Sequence, residues 1–323
     1  MKRAVVTGAA GFAGCNLTEH LLQKGYEVVA VVRPNSPHNA RLYEIQNDKL
    51  SIVRLDISDI SQLPKHIEKK DIDAFFHLAW EGEREDKKQQ ENNVNNTMEA
   101  VLTASKLNCR RFICTGSQAE YGLQGTIEES KRCMELPSKD YDKAFSRTTE
   151  SAALYPLTAY GRGKAEACYI TRRMAENLGI EWIWIRIFSL YGKYEPSGRM
   201  LPDLIASIKE GKQMKLSSCI QLWDFLDAGD AANGIIAAAE HGRSGEIYNL
   251  SNGNIRLLKD YTDTALRTFC TSALDDELIV YGDHADPFIS LKPSNDKLCR
   301  DTGWKPEVEF SYGIAHSYDK TGN

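Results

Sequence analysis

Several features that define whole classes of protein are missing from this sequence. Its 323 residues carry a net charge of −5, so there is no basic excess of the kind that binds nucleic acid. No apolar run is long enough to span a bilayer, and glycines interrupt the residues after Met1 that would form the core of a signal peptide. Internal repeats and low-complexity segments are absent as well. We therefore expect a cytoplasmic protein that contacts neither a membrane nor nucleic acid.

The cysteines also lack the close pairs that a disulfide framework shows. Their scattered positions are typical of reduced thiols in a cytosol, and we expect each to have a buried structural role. We expect no metal site. The eight cysteines are Cys15, Cys109, Cys114, Cys133, Cys168, Cys219, Cys270 and Cys299.

Apolar segments typical of strands alternate with segments of helical periodicity as far as Leu190, which predicts an α/β fold with a doubly wound parallel sheet. A long helix is predicted from about Ala159 to Leu178. Beyond Leu190 the pattern changes to mixed helices and short strands. The strands are predicted at Arg3–Thr7, Glu27–Val32, Ser51–Leu55, Ala74–Leu78, Arg111–Thr115 and Trp182–Ile187.

A glycine-rich turn, Gly8-Ala9-Ala10-Gly11-Phe12-Ala13-Gly14, joins the first predicted strand to a helix with Leu17, Leu21 and Leu22 on one side. Glycine allows the backbone to close such a turn and lets a pyrophosphate approach the helix N-terminus. Unpaired amides and the helix dipole favour an anion there. This strand, turn and helix together predict a dinucleotide-binding site.

Tyr160 and Lys164 lie four residues apart near the start of the long predicted helix, so they share one of its faces. A free tyrosine has a pKa of about 10, and a nearby positive charge favours its phenolate. We therefore expect Lys164 to lower the pKa of Tyr160 and make it a proton donor or acceptor near neutral pH. A redox reaction at a carbonyl requires such a group.

Taken in order, these and further motifs resemble the extended short-chain dehydrogenase/reductases, the family of nucleotide-sugar epimerases, dehydratases and reductases. The resemblance implies a Rossmann domain over 1–188 and a smaller α/β substrate-binding domain over 189–323, with some segments returning to the Rossmann domain, and it implies a homodimer. The motifs are Thr7–Gly14, Asp56-Ile57-Ser58-Asp59, His77-Leu78-Ala79-Trp80, Asn93 with Thr97, Ser117 before Tyr121-Gly122, Tyr160 with Lys164, Arg186–Gly192, Trp223–Leu226 before Asp230, and Gly303–Pro306.

The resemblance also implies roles for individual residues. Ser117 hydrogen-bonds the reacting sugar oxygen, Tyr160 is the proton donor, and Lys164 tunes Tyr160 and holds the cofactor ribose. The dinucleotide is implied to contact Gly8, Gly11, Phe12, Ala13, Gly14, Arg33, Asp56, Ile57, Leu78, Ala79, Tyr160 and Lys164. A nucleotide-sugar substrate is implied to contact Trp80, Ser117, Gln118, Ser189, Arg199 and Trp223.

Two places in the sequence separate activities within the family. The 4,6-dehydratases carry Asp and Glu directly after the residue that matches Ser117, whereas this chain has Gln118 and Ala119, which cannot transfer the protons of that reaction. The second predicted strand ends in Arg33 where NAD-binding members place an acidic residue, and an Arg there would pair with a 2′-phosphate.

We therefore predict an NADPH-dependent reductase of the 4-keto group of a nucleotide-linked 4-keto-6-deoxysugar, active in surface-glycan biosynthesis and closest to the nucleotide-diphospho 4-keto-6-deoxysugar reductases. The alternative is an NAD-dependent nucleotide-sugar 4-epimerase. A third reading is a dinucleotide-binding sensor or scaffold without turnover. Two departures weaken the diphosphate part of the prediction, since Trp223 replaces a common Arg and Ser189 a common Asn.

Two further points stay open at the level of sequence. The polar stretch from Gly125 to Tyr155 is longer than the family pattern and is either a solvated surface insertion or a lid over the sugar pocket. Asp56 either contacts adenine, as the resemblance implies, or caps the helix that follows.

Overall fold

In the computed structural model, which describes residues 2–270, 278–284 and 288–318, helices and strands alternate as far as residue 187. The strands are β1 (Arg3–Thr7), β2 (Glu27–Val32), β3 (Leu50–Arg54), β4 (Ala74–His77), β5 (Arg111–Ser117), β6 (Glu181–Ile187), β7 (Ser189–Tyr191), β8 (Met214–Leu216), β9 (Leu222–Trp223), β10 (Phe225–Asp227), β11 (Glu246–Leu250), β12 (Arg256–Leu257) and β13 (Ile279–Tyr281).

The α-helices are joined by short 3-10 segments, and among the described residues none is both long and apolar enough to cross a membrane. They are α1 (Phe12–Gln23), α2 (Ala40–Tyr43), α3 (Lys87–Lys106), α4 (Ile127–Met134), α5 (Ala159–Leu178), α6 (Met200–Lys209), α7 (Ala228–His241), α8 (Leu258–Phe269), α9 (Asp296–Thr302) and α10 (Phe310–Tyr318).

Seven strands form one parallel sheet in the order β11-β6-β5-β4-β1-β2-β3. This confirms the predicted doubly wound α/β class. Strand order reverses between β1 and β4, and in such sheets ligands bind in the crevice outside the carboxyl ends of the strands at this reversal. The seventh strand, β11, pairs with β6 from the C-terminal part of the chain. The strand predictions omitted it.

Alternating residues of the strands face two separate apolar layers, as a parallel sheet covered on both sides requires. Val6 packs with Leu21 of α1 and Ile235 of α7 on one face. Val5 packs on the other face with Val101 of α3, among side chains that also come from α5. These layers hold the sheet rigid beneath the loops at the carboxyl ends of its strands.

The rest of the C-terminal part has its own small core. Phe225 contacts Tyr261 with ring centroids 5.1 Å apart, and Tyr261 contacts Phe310 at 4.8 Å. Three two-stranded sheets surround these rings, β7 with β10, β9 with β12, and β8 with β13. The boundary predicted at residue 188 stays a prediction.

The insertion after Gly125 lies at the surface and has packed contacts of its own. Helix α4 begins with a reciprocal capping box between Thr126 and Glu129. Buried Cys133 and Tyr141 pack against Leu222, together with side chains of the loop around β12. An ion pair of 2.6 Å joins Glu129 to Lys292. The insertion is therefore anchored to the C-terminal part of the chain by both apolar and charged contacts.

Candidate active site

The glycine turn lies where the strand order reverses. Gly8 has φ of +69°, and a Cβ on it would stand 2.8 Å from the backbone nitrogen of Ala79, in the loop after β4. A Cβ on Gly14 would overlap the carbonyl oxygen of Gly8. Only glycine therefore lets the two loops and α1 approach so closely. Gly11 is the N-cap of α1, so the free amides of this helix open toward the crevice.

Next to this turn is a cavity of about 210 Å³ at the carboxyl ends of β1, β2 and β4. It brings together most of the residues predicted to hold a dinucleotide. Trp80, predicted to contact the substrate, lines it too, whereas Phe12, Ala13 and Gly14 lie in the first turn of α1. The lining residues are Thr7, Gly8, Ala10, Gly11, Val31, Val32, Arg33, Ser36, His38, Asn39, Leu55, Asp56, Ile57, Leu78, Ala79, Trp80 and Glu81.

Arg33 is not an isolated cation at this cavity. Its Nη1 lies 2.8 Å from Oε2 of Glu81, a residue that the sequence reasoning missed. Asp56 caps the 3-10 helix after β3, because its Oδ1 accepts a hydrogen bond of 3.0 Å from the amide of Ser58. That hydrogen bond is the main cause that lowers the pKa of Asp56, and the charge of Arg33 adds to it. Asp56 therefore both caps the helix and lines the cavity.

Helix α5 presents Tyr160 and Lys164 at the same crevice, after an N-cap in which Thr158 Oγ1 accepts from the amide of Gly161 at 3.0 Å. Lys164 is 3% exposed, and its Nζ donates a hydrogen bond of 2.7 Å to the carbonyl oxygen of Thr115 in β5. The same Nζ lies 3.7 Å from the ring centroid of Trp80. Burial lowers the pKa of Lys164 to about 8.

The expected lowering of the pKa of Tyr160 was wrong. Burial raises it, because removal of water disfavours the phenolate, while a hydrogen bond with the Ser117 side chain and the charge of Arg84 oppose the rise. The Arg84 guanidinium lies 5.1 Å from the Tyr160 ring, and the Trp80 ring meets its edge at 6.1 Å. Tyr160 is thus a protonated phenol at neutral pH, which suits a proton donor.

Ser117 is held by a buried ion pair. Its Oγ accepts from the amide of Ala119 at 3.2 Å, and its side chain is also hydrogen-bonded with Tyr160. Glu120, fully buried, accepts from the backbone N–H of Ser117 at 2.9 Å and from Nε of Arg186 at 2.7 Å. Trp184 donates a third hydrogen bond of 3.0 Å. Glu120 lies between Ser117 and Tyr121, and Arg186 begins another of the sequence motifs, but only the fold brings the two together.

The loop after β4 is tied to α3. Gln90 Oε1 accepts from Trp80 Nε1 at 2.7 Å, and Asn93 Nδ2 donates 2.7 Å to the carbonyl oxygen of Glu81. Asn93 therefore supports the site backbone. His77 is buried beside Thr7 at 2.9 Å, and burial lowers its pKa to about 3. Its imidazole is neutral and does not act as a proton carrier at neutral pH.

The residues predicted to contact substrate are spread around the crevice. Gln118 follows Ser117 and its Oε1 accepts from Gln124 Nε2 at 3.4 Å. Arg199 is the N-cap of α6, and its guanidinium lies 5.4 Å from the ring of Phe12. Its charge also opposes the rise in the pKa of Tyr160.

Ser189 and Trp223 belong to short strands of the C-terminal part. Ser189 opens β7 and pairs with Phe225. Trp223 lies against the Phe225 ring at 6.1 Å, and its buried indole N–H makes no hydrogen bond with the residues that the structure describes. Within the same residues no cluster of three or more His, Cys, Asp and Glu side chains is arranged to hold a metal ion.

The fold and this crevice define the class, an α/β protein of the doubly wound, dinucleotide-binding type. The chain belongs to the NAD dependent epimerase/dehydratase family, whose model matches residues 4–251. This family comprises the nucleotide-sugar members of the extended short-chain dehydrogenase/reductases, as the motifs implied.

Individual relatives agree with this family. The chain is 24% identical over 342 residues to a dTDP-glucose 4,6-dehydratase of Salmonella typhimurium, covering 97% of this chain and 90% of that protein. The structure of a dTDP-glucose 4,6-dehydratase from Bacillus anthracis in complex with NAD superposes with a TM-score of 0.82 at 21% identity, covering 99% and 97% of the two chains. A UDP-glucose 4-epimerase from Thermotoga maritima with UDP-glucose gives 0.81 at 17% identity, covering 98% and 97%.

Proposed function

We propose that the protein reduces the 4-keto group of a nucleotide-diphospho-4-keto-6-deoxysugar with NADPH. The observation that carries this proposal is the position of Ser117, Tyr160 and Lys164 beside the cavity that Arg33 and the glycine turn line. The family supports a nicotinamide cofactor and a nucleotide-sugar substrate. The choice of reduction over dehydration rests on Gln118 and Ala119, which carry no acid or base.

The residues at the crevice suit the binding of a dinucleotide. Because Gly8 has no Cβ, the glycine turn can pack closely against the loop after β4 and leave the α1 amides open to a pyrophosphate. The apolar walls formed by Val31 and Ile57 suit an adenine ring. In this proposal Lys164 donates to the ribose hydroxyls. Bound there, the nicotinamide supplies the hydride, and the protein supplies position and protons.

The proposed proton chemistry uses the groups around Tyr160. Tyr160, a protonated phenol at neutral pH whose pKa burial raises further, donates its proton to the sugar oxygen as negative charge develops there. The Ser117 hydroxyl, which lies beside Tyr160, hydrogen-bonds the same oxygen and orients it. The charge of Arg84 stabilises the phenolate that forms.

An NAD-dependent nucleotide-sugar 4-epimerase is the second candidate. The ion pair between Arg33 and Glu81 favours it, because the guanidinium expected to bind a 2′-phosphate is already paired with a carboxylate. A non-catalytic dinucleotide-binding protein is a third and weaker reading, because the site presents a complete set of reactive groups.

The deciding experiment measures the affinities of NADPH and NADH and then screens CDP-, dTDP-, UDP- and GDP-linked 4-keto-6-deoxysugars for loss of the reduced-cofactor absorbance. Reduction with stoichiometric loss of NADPH supports the reductase. Protein that retains NAD and interconverts 4-epimers without net oxidation supports the epimerase instead. Binding with no turnover of any sugar supports the third reading.

A further inference from the structure

The ion pair between Arg33 and Glu81 lies within the proposed dinucleotide site itself. Both side chains line the 210 Å³ cavity, and their charged atoms are 2.8 Å apart. The side chain of Arg33 is 58% exposed and that of Glu81 is 34% exposed. Exposed ion pairs of this kind contribute little to folding, so stability alone does not account for its place at the cavity.

The backbone of Glu81 is fixed more firmly than its side chain. The amide of Glu81 donates a hydrogen bond of 3.3 Å to Asn93 Oδ1, and the carbonyl oxygen of Glu81 accepts one from Asn93 Nδ2. Asn93 is buried on α3. The carboxylate therefore stands on a backbone that buried Asn93 anchors, and it pairs with the more exposed Arg33.

Charge at this end of the cavity disfavours a further anion. The lining residues contribute the cation of Arg33 and the carboxylates of Glu81 and Asp56, and His38 adds a positive charge only when protonated. A 2′-phosphate would have to take Arg33 from Glu81 and then lie beside that carboxylate. A ribose 2′-hydroxyl meets no such competition.

We propose that Glu81 is a specificity-determining residue of the dinucleotide site, which holds Arg33 in an ion pair and competes with the 2′-phosphate for it. The proposal rests on the proposed use of a dinucleotide at this cavity. Glu81 thereby reduces the preference for the phosphorylated cofactor that Arg33 would otherwise give. The protein discriminates between NADPH and NADH less than a site with an unpaired Arg does.

The test uses adenosine 2′,5′-bisphosphate and 5′-AMP, which probe the adenosine end without turnover. Their affinities are measured by calorimetry for the wild type, Glu81→Gln, Arg33→Ala and the double variant. Glu83→Gln is the matched control. Glu83 lies two residues from Glu81 and carries the same charge, but its side chain is exposed and does not line the cavity.

In Glu81→Gln the affinity ratio of bisphosphate to 5′-AMP should rise about tenfold, the effect of one charge-assisted hydrogen bond to Arg. In Glu83→Gln it should change less than about twofold. In the Arg33→Ala background, Glu81→Gln should change this affinity ratio no more than the control does. An unchanged ratio in Glu81→Gln, an equal gain without Arg33, or a wild type that binds neither probe overturns the proposal. A failure to reduce 4-keto sugars would remove the reductase and leave this result intact.

Discussion

Lys164→Met should change how stability depends on pH, because the buried ammonium is costly to fold. The fall in the pKa of Lys164 from 10.5 to about 8 corresponds to about 3 kcal/mol, at about 1.4 kcal/mol per pKa unit. Below pH 8 the folded protein carries this penalty in full. Between pH 8 and 10.5 the folded amine is neutral while the unfolded amine still binds a proton, so the contribution of Lys164 to stability rises with pH.

The quantity to measure is the free energy of unfolding of the wild type minus that of Lys164→Met, from urea titrations between pH 7 and pH 10. Taking the difference cancels the tyrosines and cysteines that titrate in the same range. It should rise by about 2.5 kcal/mol over this interval. Lys88→Met, at an 80% exposed side chain, is the control and should show a change below about 0.5 kcal/mol. A flat difference for Lys164 would refute the buried, desolvated ammonium.

Three further results are expected. Tyr160→Phe should keep the fold and cofactor affinity and lower kcat by roughly 10² to 10⁴, the usual worth of general acid catalysis, and near-normal kcat in a steady-state assay would remove Tyr160 from the mechanism. Glu120→Gln should lower the free energy of unfolding by about 3 to 5 kcal/mol in urea titrations, since it leaves buried Arg186 without a compensating charge; a loss no larger than that of Glu83→Gln would contradict this. Replacing residues 127–143 by a short glycine linker should lower Tm, because Cys133 and Tyr141 are packed; an unchanged Tm with a raised KM would support a lid instead.

Much of the fold could be predicted from local sequence signals. The six predicted strands are all present, with ends that differ by no more than two residues, and the long helix runs over the predicted residues. Such signals are local, since strand alternation and helix periodicity are properties of short segments. The strand β11 was omitted because Glu246–Leu250 follows the change of pattern after Leu190.

The main residues of the candidate site could be predicted from the sequence, but their burial, ion pairs and pKa shifts could be predicted only in part. The sequence by itself determined the glycine turn, the one-face spacing of Tyr160 and Lys164, and the absence of an acid at the two positions directly after Ser117, because each depends on neighbours along the chain. Their proposed catalytic roles stay predictions.

Only the tertiary structure decided the environment of these groups. Burial raises the pKa of Tyr160, Trp80 covers the Lys164 ammonium, and Glu81 meets Arg33 across 48 residues. Desolvation and ion pairing depend on which distant segments the sheet order brings to one edge, and no local pattern encodes that order.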